Sequence, residues 1–396
     1  MKTDRLYYTD CYLEKFHAHV LEISDQGRRV YLDKSAFYPT SGGQPNDLGV
    51  LSGIPILDIV DENDRVAHVL DSCLEATEVD GAIDFERRYD HMQQHTGQHL
   101  LSAVAVELFG AQTVSFHMGP QVSTIELAAK ELTPEQLDAA ELKANKFVWQ
   151  SRPVNIYFED SDAAHGLRKP TQRSGVLRIV EIEGIDRSAC GGTHVRSTAE
   201  LGPIQIRSSE KVRGGNARIE FVCGLRALKR AKQDFRVAKE LAKQAATGID
   251  NLPDHLASVR ERLGQTEKAS ERLRAEIARR DGLALYISSQ PDGDGIRRTL
   301  LRVQAIDAAV REQAREYASQ DKAVLLAIGS EPAGLLLACS GDSGINAGAI
   351  LKEVVVAEGG RGGGSATLAQ GNLPNPQTAY LVARAAGFVS LSADSQ

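Results

Sequence analysis

Residues 90–110, DHMQQHTGQHLLSAVAVELFG, and residues 188–195, SACGGTHV, decide how this chain is read. In the first segment apolar side chains recur at helical spacing up to Gly110, a C-terminal stop, so it predicts a helix. His95 and His99 are four residues apart on one face of that helix, where two imidazoles can meet one ion. In the second segment Cys190 and His194 are also four apart, and Gly191 and Gly192 suit a turn that folds both side chains toward one point. Three histidines and one cysteine match borderline-soft Zn2+ best among the common ions. A helical histidine pair alone is more often surface or core decoration, but two pairs of ligand type together favour a metal site. His91 continues the stripe backward, yet each step of four drifts about 40° around a 3.6-residue helix, so it reads as a neighbour of the site. Thr96 follows His95 where a zinc protease of the H-E-x-x-H type places Glu, which disfavours peptide hydrolysis by that arrangement. Four protein ligands would close a tetrahedral, structural site, whereas a catalytic zinc keeps one position open. Either one ligand is displaceable or the coordination expands when substrate arrives.

Outward from these segments, the chain is predicted to be α+β. Residues 1–88 carry strand-like stretches between turns, RRVYLDKSAFYP and GVLSGIPILDIVDENDRVAHVL, which predict a small β-barrel-like or sandwich domain. Residues 89–224 interleave the histidine helix, a helix capped by Thr133 with Pro134 at its first position, and the strand-like VLRIVEIEG, LGPIQIRSSEKV and NARIEFVCG. Residues 225–281 predict a helical hairpin, with Leu256, Val259, Leu263, Thr266, Ser270, Leu273 and Ile277 at heptad spacing. Residues 282–396 alternate apolar strands (LALYIS, AVLLAIG, GLLLACS) with helical stretches, a small α/β domain.

The 396 residues are too many for a single ordinary core, and 42% hydrophobic with 25% charged residues excludes a mainly disordered chain. No apolar run approaches the ~18–20 residues of a membrane helix, and five scattered cysteines fit a reducing compartment, which points to the cytoplasm. Net charge is −7, the wrong global sign for a nonspecific nucleic-acid binder, yet residues 205–245 alone carry +7. On charge alone, a solvated basic helix and a polyanion-facing surface are equally good readings. Two further motifs are glycine-rich. In YPTSGGQPNDLG (38–49), Gly42, Gly43 and Pro45 mark a tight loop, and Gln44 orients a substrate only if that loop folds over the metal. In EGGRGGGSATLAQG (358–371), glycines flank Arg361 as in a backbone cradle for phosphate, although a flexible loop is the simpler reading and no P-loop ending follows.

Taken in order, SGGQPNDLG, HTGQHLL, CGGTHV and ELGPIQIRSSEKVRGGNARIEF resemble the editing half of alanyl-tRNA synthetases and the free-standing AlaX proteins. The closing GGRGGGSATLAQG resembles the glycine-rich signature of their DHH-associated C-terminal domain, so the resemblance covers essentially the whole chain. It implies a deacylase that removes serine or glycine from mischarged tRNA(Ala), with one Zn2+ held by His95, His99, Cys190 and His194. It implies that Thr113, with Ser115 as runner-up, and Gln44 contact the substrate. The zinc would either activate the attacking water or hold the substrate's α-amine. The chain begins just before the β domain, which leads us to expect editing in trans without aminoacylation. Lys211, Arg213, Arg218 and Arg361 are the expected contacts to tRNA, the acceptor stem above all, and the C-terminal domain would reach another part of the tRNA or pair two subunits as a homodimer. The alternatives are a tRNA-binding module with purely structural zinc, and a DHH-type phosphoesterase, for which the Asp-His-His run is missing.

Overall fold

The structure is a computed structural model that describes residues 2–388 apart from 172, 173, 213 and 374. Its class is mixed α+β, as expected, and the chain divides into two compact units, residues 1–241 and 242–396. Among the described residues no helix is long and apolar enough to cross a membrane.

Ahead of the first long helix, the first unit forms a barrel of six strands: β1 (Lys15–Ser24), β2 (Arg29–Leu32), β3 (Gly49–Leu51), β4 (Ile54–Glu62), β5 (Arg65–Leu70) and β6 (Glu78–Ile83). They pair antiparallel in the order β1-β2-β5-β4-β3-β6 and β6 returns to β1, which closes a barrel. Alternating side chains such as Phe16, Ala18, Val30, Leu32, Ile56 and Val79 fill it.

Helix α1 (Phe85–Phe109) follows, with Asp84 as its N-cap, the carboxylate accepting from Arg87 N at 3.1 Å, and Gly110 in the left-handed region (φ 63°) ending it. The helix starts five residues before the apolar periodicity at Asp90, because the cap and not the periodicity sets its beginning. Every residue from His91 to Ala105 is buried, so the polar ones among them must be satisfied by partners. The sheet that receives α1 is built from β7 (Thr113–Met118), β8 (Ser123–Leu127), β12 (Ile204–Lys211) and β13 (Ala217–Cys223), in the order β12-β13-β8-β7. Met92, Leu100 and Val104 pack there on Ile125, Leu127 and Phe221. Between these strands lie α2 (Pro134–Trp149), which has the Thr133–Gln136 capping box, and a three-stranded sheet of β9 (Val154–Asp160), β10 (Val176–Ile182) and β11 (Asp186–Ala189). Helix α3 (Gly224–Gln244) closes the unit.

The second unit begins with α4 (Leu252–Ser288). It runs through LALYIS, which the apolar run alone suggested was a strand; Leu285 and Tyr286 instead join the cluster around Ala314 and Tyr317, which keeps the last turns helical. The heptad leucines Leu256, Leu263 and Leu273 are each more than half exposed. Then come β14 (Arg297–Val303), α5 (Ala308–Ala318), β15 (Ala323–Ser330), β16 (Ala333–Cys339), α6 (Ala347–Ala357), β17 (Gly362–Gly364), β18 (Leu368–Asn372) and α7 (Pro376–Ala385), with sheet order β14-β15-β16-β18-β17. Leu325 and Leu336 face α5 while Val324, Leu326 and Leu337 face α6 and α7, a three-layer arrangement. The glycine-rich stretch is an edge strand: Gly362–Gly364 pair with β18, and Arg361 N donates to Asn372 Oδ1 at 2.5 Å.

Candidate metal centre

Helix α1 presents His95 and His99 with ring centroids 5.3 Å apart, and the turn after β11 brings Cys190 and His194 to them. One ligand atom from each of the four lies within 4.8 Å of all the others. Cys190 Sγ is 3.5 Å from His95 Nε2 and 3.4 Å from His194 Nε2. A Cβ on Gly192 would overlap the His95 ring, so the turn reaches the helix only because that residue is glycine. Arg178 holds the same turn, donating to the carbonyls of Cys190 (2.6 Å), Gly192 (2.9 Å) and Tyr8 (2.9 Å).

Each imidazole is held from behind at Nδ1, which leaves Nε2 as the free ligand atom. His95 Nδ1 meets Gln44 Oε1 at 2.7 Å, His194 Nδ1 meets Thr96 Oγ1 at 3.0 Å, and His99 Nδ1 meets Asp186 Oδ2 at 2.8 Å. Such outer partners fix the ring and tautomer of metal-ligating histidines, and on this observation the donor set fits zinc. The electrostatics agree. Burial opposes ionisation of Cys190, but His95 and His194 draw its thiol well below the ordinary range, toward the thiolate that ligates. Burial pushes His194 down to about 3, which keeps it neutral. Burial also pulls on His99, but hydrogen bonds to Asp186 and Cys190 carry it up to about 9, so it must release a proton to ligate.

His95, His99 and Cys190 line a cleft of about 1400 Å³ shared with Tyr8, Gly42, Phe116 and Arg168, whereas His194 is buried away from it. His91 is buried too, outside the four-atom cluster, with no partner for Nδ1 among the described residues.

Gln44, expected to touch substrate, is fully buried: Oε1 accepts from His95 and Nε2 donates to Thr193 Oγ1 at 2.8 Å. Its amide is used up in orienting His95, so it stands behind the imidazole and not on the cleft wall. The tight loop does approach something closely, because a Cβ on Gly43 (φ 85°) would overlap Phe116 O. Thr113 lines the cleft, and its Oγ1 donates to Ser102 Oγ at 2.6 Å, which also accepts from Gln98 at 2.8 Å. A register shift between Glu126 and Leu127 pairs Thr113 with Leu127 but Ser115 with Glu126. Thr113 therefore takes the face of the buried Leu127, while Ser115, which lines the cleft as well, stands in a cross-strand row with Glu126, Arg218 and Glu210.

Of the expected tRNA contacts, Arg218 sits in that row, ion-paired with Glu126 at 2.7 Å and Glu210 at 3.2 Å. Lys211 is exposed at the end of β12 and Arg361 is exposed ahead of β17, while Arg213 lies outside the described residues. Sequence reasoning missed Asp186, Thr96, Arg168 and Arg178. Asp186 is 4% exposed and bound by Arg168 Nε (2.6 Å) and Ser188 Oγ (2.9 Å) besides His99. A lone aspartate with no spacing relation to His99 gives no signal. Thr96, which disfavoured a protease of the H-E-x-x-H type, had one: a hydroxyl between two candidate ligand histidines.

Residues 177–220 match the family model described as the threonyl and alanyl tRNA synthetase second additional domain. The alanyl-tRNA editing protein Aarsd1 of Danio rerio is 32% identical to this chain over 83% of it and 84% of its own length. The alanyl-tRNA editing protein AlaX-L of Pyrococcus horikoshii is 31% identical over 93% of this chain and 94% of its own. The alanine–tRNA ligase of Methanoregula boonei is 33% identical over 94% of this chain, but over 42% of its own length.

Proposed function

This chain belongs to the family of alanyl-tRNA editing proteins, and from that premise we propose that it hydrolyses the aminoacyl ester of mischarged tRNA(Ala) in trans, chiefly the seryl ester and secondarily the glycyl ester. The observation that carries the reading is the convergence of His95, His99, Cys190 and His194, the first three of them lining a cleft that Thr113 also lines. These four residues would hold Zn2+, which supplies a Lewis acid when bound. Gln44, Thr96 and Asp186 aim the three imidazoles, and Arg178 fixes the backbone that carries Cys190.

Thr113 supplies the discrimination. Its proton goes to Ser102, so its lone pairs remain to accept from a seryl hydroxyl. An alanyl ester leaves that acceptor unpaired in a partly dry site, which costs about 1–3 kcal/mol. A pocket that discriminated by size alone would do poorly between side chains differing by one hydroxyl.

The test is hydrolysis of seryl-tRNA(Ala) and alanyl-tRNA(Ala) by the purified chain, with zinc assayed on the same sample. Loss of serine with alanine spared, and about one zinc per chain, is expected. No hydrolysis by a zinc-replete sample would overturn the reading in favour of a tRNA-binding module with structural zinc.

A further inference from the structure

The basic span 205–245 contains eleven Lys and Arg residues, and among the described ones ion pairs neutralise four. Arg207 pairs with Asp234 at 2.7 Å, Arg218 with Glu126 and Glu210, Arg226 with Asp90 at 2.6 Å, and Arg230 with Asp234 at 3.2 Å. Lys229, Lys232, Arg236 and Lys239 are exposed and meet no carboxylate within ion-pair distance among the described residues. All four stand on α3 at spacings of three, four and three. At 3.6 residues per turn they occupy an arc of about 80° and run about 15 Å along the helix axis. Phe235, 59% exposed, lies beside the stripe between Lys232 and Lys239. Asp234, the acid at the middle of the helix, is turned to Arg207 and Arg230, which takes its charge away from the stripe.

We infer that this face of α3 is the surface on which the protein receives the phosphate backbone of its RNA substrate, a role that rests on the deacylase reading. A row of unpaired cations presents a linear field that a polyanionic strand neutralises with release of its counterions. Phosphate contacts of this kind position the substrate without reading its sequence. Phe235, at the edge of the stripe with Leu228 likewise exposed, offers a ring on which an unstacked base can rest. The ion pairs of Arg218 give it a smaller share in this binding than the four cations of α3.

The experiment replaces the stripe in the full-length protein (Lys229→Gln, Lys232→Gln, Arg236→Gln and Lys239→Gln together) and follows seryl-tRNA(Ala) hydrolysis across a salt series. The expected result is a KM at least tenfold higher with kcat nearly kept. The slope of log kcat/KM against log salt should fall by about 3, since each cation lost removes roughly 0.7–0.9. A variant that exchanges Lys and Arg at the same four positions should keep the parent slope. A neutralised variant with the KM and slope of the parent would overturn the inference, leaving the stripe a solvated face. Equal loss on a seryl ester of a short CCA oligonucleotide, which carries few phosphates, would also overturn it, because the defect would then lie in the fold or the cleft. If the parent hydrolyses neither ester the deacylase reading falls, while the slope measured by direct binding of labelled tRNA still decides the role of the stripe.

Discussion

Replacing Asp186 by Asn tests whether the metal centre is built from behind its ligands. The carboxylate is buried and has three partners: His99 Nδ1 at 2.8 Å, Ser188 Oγ at 2.9 Å and Arg168 Nε at 2.6 Å. An asparagine of the same shape removes the charge, so the bond that aims His99 falls from charge-assisted to neutral strength, about half. Loss of such an outer partner typically costs 10–100-fold in metal affinity, which is about 1.4–2.7 kcal/mol. A second cost falls on the fold, because the Arg168 guanidinium loses its counter-charge. Breaking a fully buried pair costs about 3–5 kcal/mol, but Arg168 borders the cleft, so the lower end applies. The assay is competition for Zn2+ against a chromophoric chelator, on protein whose circular dichroism shows it folded, followed by deacylation at saturating zinc. Weaker zinc binding with activity recovered on zinc addition is expected. Thr96→Val, which removes a neutral partner of His194, should weaken zinc less. A folded Asp186→Asn protein with zinc affinity within twofold of the parent would refute the reasoning, because His99 would then be oriented without the carboxylate.

Three further outcomes follow from other parts of the structure. Thr113→Val should narrow the seryl-over-alanyl preference by roughly 5- to 150-fold, the equivalent of about 1–3 kcal/mol; an unchanged ratio of kcat/KM values would move serine recognition away from Thr113. Arg88→Met should cost about 3–5 kcal/mol, measured by denaturant unfolding, because it strands the fully buried Asp47 carboxylate; a loss below 1 kcal/mol would show that the pair is dispensable. Burial lowers the pKa of His68 from 6.5 to about 4, so the unfolded chain binds its proton at a pH where the folded chain does not. Stability from this group is complete above pH 6.5, falls by roughly 3 kcal/mol as pH drops from 6.5 to 4, and is then flat. His68→Gln should therefore reduce the pH dependence of the urea midpoint over that range, and an identical slope in variant and parent would exclude the assignment.

The clustering of the four candidate ligands was foreshadowed because each pair carries its own local signature, and because a helix and a glycine turn are the two devices that place residues four apart on one side. The three-dimensional step, bringing the two pairs together across about ninety residues, left no local trace beyond the chemistry of the side chains. Asp186 was invisible for the opposite reason: its contact with His99 exists only because β11 runs beside α1, and nothing near Asp186 in the chain refers to the helix. Tertiary packing also reversed two local readings. LALYIS has the apolar run of a short buried strand, which periodicity cannot tell from a buried helix end, and packing against α5 decides for the helix. Gly362–Gly364 read as a flexible loop because glycine has no side chain to show alternation, yet the backbone amides find a ladder on β18. Arg218 shows the limit of charge counting, since its two carboxylate partners come from neighbouring strands at positions that only the sheet register reveals.

The barrel and the helix that follows it act as one device. Loop 38–49 emerges between barrel strands and is tied to α1 at two levels. At the first, Arg88 binds the Asp47 carboxylate (Nε to Oδ1 at 2.9 Å) and donates to the carbonyls of Cys11 and Ala36 at 2.9 and 2.6 Å. At the second, two turns further along the helix, Gln44 takes His95 Nδ1. The first tie contains no ligand and the second contains the ligand's orienter, but both fasten the same loop to the same helix, seven residues apart. A buried ion pair is weak evidence for net stability, because well-packed apolar residues often serve as well. Its value here is positional: the charge pair admits one register of loop on helix, and that register puts the Gln44 amide behind His95. The glycines make the same demand from the other side, since Gly43 allows the loop to reach Phe116 and Gly192 allows the Cys190 turn to reach the His95 ring. The site therefore depends on the close approach of two separate segments, loop 38–49 and the Cys190 turn, to the same histidine of α1, and the N-terminal barrel is part of the candidate metal centre's framework.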